Sequence, residues 1–252
     1  MRVAGTELDV LHLPPLRDGA PTAVFLHEGL GSIRLWRDVP ERVRERTGFG
    51  ALVYSRRGNG FSAPLEEPRE VTYMHDEALV VLPELLARAG IDRPALVGHS
   101  DGASIALIYA GAHPRNVRAL ALEAPHVFVE ELSLTSIAAI GERFRATDLR
   151  EKMARHHRDV DTTFRGWNDI WLNPAFRTWN IEASLPAIVA PVLAVQGIDD
   201  EYGTLAQIEA IARGCSGPVD RLLLERCGHA PHRDRPESVE LIAAWLAANA
   251  AE

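Results

Sequence analysis

The pentapeptide Gly98-His99-Ser100-Asp101-Gly102 sets a serine between two glycines, with the apolar run Ala95-Leu96-Val97 before it and a helix-forming stretch, Ala103 to Ala110, after it. A serine hydroxyl is a weak nucleophile until a neighbouring base takes its proton, and the base in turn needs an acid to orient it. The chain offers both, in the order serine, acid, histidine. Ile198-Asp199-Asp200-Glu201 follows one apolar run, and Cys227-Gly228-His229-Ala230-Pro231-His232 follows another. Asp200, three residues past Gly197, is preferred to Asp199 as the acid. His229, directly after Gly228, is preferred to His232 as the base. Cys227, His229 and His232 are also metal-ligand types, but no second cluster accompanies them and no metal is expected. Acyl transfer further needs donors for the charge that develops on the carbonyl oxygen. The backbone N–H of Gly29, in the glycine-rich stretch "FLHEGLGSIRLW", and that of Asp101 are the candidates for this oxyanion hole.

These residues work together only if a scaffold brings distant segments to one edge. The runs "TAVFLH" (22–27), "GALVYS" (50–55), "PALVGH" (94–99), "VRALALEA" (117–124), "VLAVQG" (192–197) and "DRLLLE" (220–225) read as strands. Their lack of polar alternation suits strands covered on both faces. Helical patterns between them (76–90, interrupted by Pro83, and 102–114) imply a mostly parallel sheet with right-handed crossovers. Each candidate then falls in a loop following a strand, the edge at which such sheets bind ligands. A five-residue Gly-x-Ser-x-Gly pattern arises by chance; its strand-turn-helix setting is what gives it weight. The rhythm breaks between Pro125 and Pro186, where several helices follow without a strand. The expected organisation is a core of 1–125 and 187–252 with a helical cap at 126–186.

Composition narrows the classes. The chain has 252 residues with 35 acidic against 27 basic side chains, a formal charge of −8. No basic stripe stands out to neutralise phosphates, so nucleic acid is not an expected partner, and anionic membranes are disfavoured too. Two cysteines, Cys215 and Cys227, are too few for a disulfide framework. With no signal-peptide pattern and no run of eighteen apolar residues, the expectation is a cytoplasmic protein.

The combination resembles the α/β-hydrolase family. "HEGLGS" stands where that family has its His-Gly loop, "YSRRGNGFS" resembles its Arg-Gly-x-Gly-x-Ser turn, and "GHSDG" matches its nucleophile elbow. "QGIDDEYG" and "CGHAPHRDRPE" match its acid and histidine loops. The resemblance implies an eight-stranded sheet with one early antiparallel strand, an inserted cap, and a triad of Ser100, Asp200 and His229. Glu28 departs from the family's usual glycine, which bears on the shape of the oxyanion loop. The Ser-Asp-Gly form of the elbow resembles the valacyclovirase-like (biphenyl hydrolase-like) branch, where the aspartate holds a substrate ammonium group. For Asp101 that role stands beside a plainer one, complementing or capping the helix that follows.

Other side chains draw attention. Trp167 and Trp171, with Trp179, Phe164 and Phe176 nearby, fall in the cap and are candidates for an aromatic wall against substrate, or for simple packing. Glu123 ends a strand at the correct edge and is an alternative acid or a second charge for a substrate amine. Arg56 and Arg57 are candidates for supporting the oxyanion loop or binding a carboxylate. His156 and His157 read as part of a solvated helix. The expectation is a serine hydrolase acting on a small-molecule ester through an acyl-enzyme, with no cofactor and an α-amino acid ester as the narrower reading. The alternatives are a lactonase or C–C bond hydrolase, and a non-catalytic ligand-binding protein of the same fold.

Overall fold

Short apolar runs bury both faces only inside a helix-covered sheet, and the computed structural model, which describes residues 1–250, packs them so. The main sheet is built from β3 (Val10–Leu13), β4 (Thr22–Leu26), β5 (Gly50–Tyr54), β6 (Ala95–His99), β7 (Ala119–Glu123), β8 (Val192–Gly197) and β9 (Val219–Leu224). Its seven strands lie in the order β3-β5-β4-β6-β7-β8-β9. β3 is antiparallel to β5, and every other pairing is parallel. The central strands β5, β6, β7 and β8 are buried throughout, whereas the edge strand β9 is half-buried or exposed up to Leu224.

The expected eight strands are seven. The first two, β1 (Arg2–Val3) and β2 (Thr6–Glu7), pair with each other as a separate two-stranded hairpin. The turn between them, Ala4-Gly5, holds positive φ at both residues and folds the two strands onto one another.

Helices α1 (Val39–Thr47) and α10 (Ser238–Asn249) pack together over one face of the sheet, contributing Val39, Val43, Ile242 and Leu246 to its core. The opposite face carries α4 (Asp101–Ala112), α8 (Ala206–Gly214) and the rod formed by α2 (Tyr73–Asp76), a π-helical turn at Glu77–Val81 and α3 (Leu82–Ala89). Pro83 lacks an N–H and cannot continue an ordinary ladder; the wide turn just before it absorbs the mismatch. Between β7 and β8 lie α5 (Glu131–Ala146), α6 (Leu149–Met153) and α7 (Val160–Trp171), with 3-10 turns at Pro174–Thr178 and Glu182–Ala187. No strand of the main sheet occurs there. His156 and His157 follow α6 in a turn rather than a solvated helix, and His157 is buried, its Nδ1 accepting the Gly60 N–H at 2.9 Å. The short α9 (Pro231–Asp234) precedes α10. Residues 251 and 252, at the end of the second core segment, lie outside the described residues. Among the described residues no helix is long and apolar enough to cross a membrane.

Chain order reverses between β4 and β6, which are neighbours although β5 intervenes in sequence. Loops leaving the carboxyl ends of such strands diverge and open a crevice. The stretches leaving β4, β6, β8 and β9 begin with Gly29, Ser100, Asp200 and His229 within a few residues of each strand's end.

Candidate active site

Ser100 sits at the sharp turn from β6 into α4 with φ 53° and ψ −119°, a conformation costly for a residue with a Cβ. Its surroundings enforce it. Ser100 N–H donates to the Glu123 carbonyl at 2.9 Å. A Cβ on Gly102 would lie 1.9 Å from the Leu26 carbonyl oxygen, and one on Gly98 would lie 2.6 Å from the Ala103 Cα. Only glycine on both sides lets α4 cross β4 this closely, which is the physical content of the pattern in the sequence.

His229 Nε2 is 2.9 Å from Ser100 Oγ, and its Nδ1 is 2.9 and 3.0 Å from the two Asp200 carboxylate oxygens. The carboxylate accepts, so Nδ1 carries the proton and the Nε2 lone pair faces the serine hydroxyl. Asp200 also accepts from Gln196 Nε2 at 2.6 Å and from the Tyr202 N–H at 2.8 Å. Burial pushes its carboxyl up, but the hydrogen bond and charge of His229 and the Tyr202 N–H outweigh this and hold it below the ordinary value. Asp199 is exposed and makes none of these contacts.

The two alternatives from the sequence, Glu123 and His232, turn out to be partners of one another. His232 Nδ1 lies 2.6 Å from Glu123 Oε2, with the Glu123 side chain 1% exposed. Burial disfavours the imidazolium, yet the charge and hydrogen bond of Glu123 raise the His232 value. A further pair joins the loops on either side. His99 Nε2 donates to the His229 carbonyl at 2.7 Å, and its Nδ1 lies 3.3 Å from Glu28 Oε2. Burial works to raise the Glu28 carboxyl, but His99, through its hydrogen bond and charge, and the charges of His27 and His232 hold it well below the usual range. Through His99, Glu28 therefore ties the loop after β4 to the loop that carries His229. Asn59 Nδ2 fixes the same loop by donating to the Gly29 and Gly31 carbonyls at 3.0 and 3.1 Å, and Arg56 Nη2 donates to the Glu28 carbonyl at 2.8 Å. Arg57 instead reaches out to the exposed Glu66.

Asp101 requires a correction. Its carboxylate is 1% exposed and is not part of the cleft wall. Tyr73 Oη donates to it at 2.7 Å, Trp171 Nε1 at 3.2 Å, and the Arg56 guanidinium lies 3.7 Å away. With those donors around it, the group is turned from the cleft and is not placed to hold a substrate ammonium. Its side-chain hydrogen bonds go to Tyr73 and Trp171, while its charge lies in the first turn of α4. What it does is join α7 to the core. Its own N–H is among the first of α4, which have no carbonyl behind them.

Above these groups opens a cleft of about 400 Å³, lined among others by Gly29, Ser100 and His229. Trp167 and Trp171 both form part of its wall, Trp167 lying directly over Gly29. Trp179 and Phe176 stack on each other outside the lining. His126 was not singled out in the sequence, though it stands just beyond β7 at the edge where the site forms. It is 2% exposed, 5.5 Å ring to ring from His229, and burial, reinforced by the charge of His229, lowers it to about 3, so that it faces the cleft neutral.

A model of the alpha/beta hydrolase fold matches residues 21–157. A proline iminopeptidase of Lactobacillus delbrueckii subsp. lactis is 31% identical over 106 residues, 42% of this chain; the match spans 36% of that protein's length. The 2-succinyl-6-hydroxy-2,4-cyclohexadiene-1-carboxylate synthase of Enterobacter sp. (strain 638) is 26% identical over 248 residues, covering 88% of this chain and 90% of that one. Among solved structures, the proline iminopeptidase of Mycobacterium smegmatis superposes with a TM-score of 0.77 at 18% identity, covering 98% of this chain and 96% of that one.

Proposed function

We propose that this chain, which belongs to the alpha/beta hydrolase fold family, is a hydrolase that cleaves a small carboxylic ester through an acyl-enzyme on Ser100. The observation that carries the reading is the unbroken line from Ser100 Oγ through His229 to Asp200, opening at its serine end into the cleft. As Ser100 Oγ attacks the ester carbonyl, His229 Nε2 takes its proton. Asp200 keeps the ring oriented and stabilises the imidazolium that forms. The N–H groups of Gly29 and Asp101 hold the oxyanion; losing one such donor typically costs about 10²–10³ in rate. His229 then returns the proton to the leaving alcohol, and water, activated by the same nitrogen, releases the acid and restores the serine.

Trp167 and Trp171 form the apolar wall against which substrate lies. A protein that only binds ligands has no use for a strained serine backed by a base and an acid, and this favours catalysis over the binding-only alternative. The narrower expectation of an α-amino acid ester loses its carrier, because Asp101 is engaged elsewhere. The test is labelling with a fluorophosphonate probe together with turnover of 4-nitrophenyl acetate. Wild type should label and show an initial burst of nitrophenol, and Ser100→Ala should do neither. Labelling that persists in Ser100→Ala would overturn the assignment.

A further inference from the structure

We infer that the ester is anionic: the cleft recognises a substrate carrying a carboxylate, held at the mouth by Arg37 and Arg143 with Arg233 beside them. This rests on the esterase reading and names the substrate class of that site.

Arg37 is the most unusual residue of the three. Its backbone has φ 52° and ψ −124°, nearly the conformation of Ser100, in a residue with no glycine's freedom. Such outliers persist where the surroundings over-determine them, and they concentrate at functional sites. Here the surrounding anchor is Trp36, 2% exposed, packed against Phe25 and against the His232 ring at 5.1 Å. With Trp36 so fixed, the chain bends sharply at the next residue. Arg37 is exposed and forms part of the cleft lining.

Arg143 comes from the cap. Ser133, Ile137, Ile140 and Arg143 recur at helical spacing along α5, and all four line the cleft. The stripe is apolar at Ile137 and Ile140 and ends on a cation at Arg143, six residues and about 9 Å along the helix from Ile137. Arg233, on α9, lines the same cleft and is 57% exposed. The balance of partners is uneven. Arg233 pairs with Asp234 at 3.2 Å, but neither Arg37 nor Arg143 has a carboxylate within ion-pair distance among the described residues. The acids in the lining already have donors: Glu28 has His99, and Glu201 Oε2 accepts the His229 N–H at 3.3 Å. A chain of formal charge −8 thus presents unneutralised guanidinium groups at the mouth of its cleft. The wall behind them is apolar, with Ile137, Ile140 and Trp167. That arrangement suits an ester with an apolar body and a terminal carboxylate, and a planar guanidinium matches a carboxylate in geometry as well as charge.

The experiment compares matched esters on purified protein, each rate divided by that of hydroxide alone to remove intrinsic reactivity. One pair, mono-(4-nitrophenyl) glutarate and its methyl ester, puts the charge on the acyl side. The other, 4-acetoxybenzoate and its methyl ester, puts it on the alcohol side. In at least one pair the anion should be favoured in kcat/KM by about tenfold, equivalent to about 1.4 kcal/mol, and which pair it is locates the carboxylate. The preference should shrink in about 0.5 M salt. It should fall about threefold in Arg37→Gln and in Arg143→Gln, and recover in part in Arg37→Lys, with thermal unfolding used to verify that the variants fold. Hydrolysis of all four esters without preference for either anion, or a preference that both glutamine variants retain, overturns this inference and leaves the esterase reading standing. Failure to hydrolyse any of the four overturns the esterase reading and this inference with it.

Discussion

Replacing Asp101 by Asn separates two roles that the sequence left side by side. The carboxylate and the Arg56 guanidinium are each 1% exposed and 3.7 Å apart, and Tyr73 and Trp171 both donate to it. Removing one member of a buried ion pair costs about 3–5 kcal/mol, because the other charge stays buried without its counterpart. Although its NH₂ then faces one of the two neutral donors, asparagine keeps an oxygen for the other and the shape of the side chain, so the lower end, about 3 kcal/mol, is expected. For a chain of this size each kcal/mol lowers Tm by about 2–4 °C, giving a fall of about 6–12 °C. The kinetic outcome follows from where the group points. It does not line the cleft, so any activity loss arises from a displaced α7 and Trp171 and should not depend on substrate charge. An alanine ester with a free amino group and the same ester N-acetylated should lose the same factor of kcat/KM, their ratio moving by less than about twofold. A selective loss of about tenfold on the free amine, or about 1.4 kcal/mol, with an unchanged Tm would refute the assignment and place the carboxylate on the substrate.

Three further outcomes are expected. Asp200→Asn should lower kcat by about 10⁴-fold by removing the group that sets the His229 tautomer, and Ser100→Ala by at least about 10³-fold, both read by steady-state hydrolysis of 4-nitrophenyl acetate. Glu28→Gln should reduce kcat by about ten- to a hundredfold with little change in KM, since it loosens the tie between the oxyanion and histidine loops; a change confined to KM would contradict this. His232 is raised in the folded state, so its contribution to stability is fully present below its unfolded value near 6.5 and is lost as pH rises through the folded value. Wild type should therefore exceed His232→Gln in urea stability by more at about pH 6 than at about pH 9, whereas the depressed Asp200 contributes in the opposite sense, losing its share as pH falls below about 4.

Much of this architecture was legible in the residues because the physics there is local. Gly98 and Gly102 report a steric limit set within a few ångströms of the serine, and the unalternating runs of β6, β7 and β8 report burial on both faces. The resemblance led to a count of eight strands; two-residue strands such as β1 and β2 carry no periodicity, and nothing local says whether they join the sheet or each other. Asp101 was legible as an acid beside Ser100 but not as one turned from the cleft. Its orientation depends on Tyr73, on the rod after β5, and on Trp171, on α7, and no spacing rule relates residues so far apart in sequence. His126 escaped notice for a similar reason, since a lone histidine after a strand gains meaning only when His229 and Trp171 arrive beside it.

The pairing of Glu123 with His232 shows why a sequence with three acids and two histidines in the right loops still has one productive arrangement. Both couples are an acid ending or following a strand and an imidazole from the loop after β9, and both are hydrogen bonded through Nδ1. What separates them is the serine. Ser100 N–H is held by the carbonyl of Glu123 itself, so the strand that supplies the second acid is the strand that fixes the elbow. Pro231 opens the short helix α9, and His232 on it packs against Trp36 rather than reaching toward Ser100. His229, before that turn, is still extended toward the serine, with its carbonyl held by His99. One helical turn after His229, His232 is thus held by the buried Glu123 carboxylate. Were Glu123→Gln to release His232, the expected consequence is a disturbed Trp36 and Arg37 rather than a second base for Ser100.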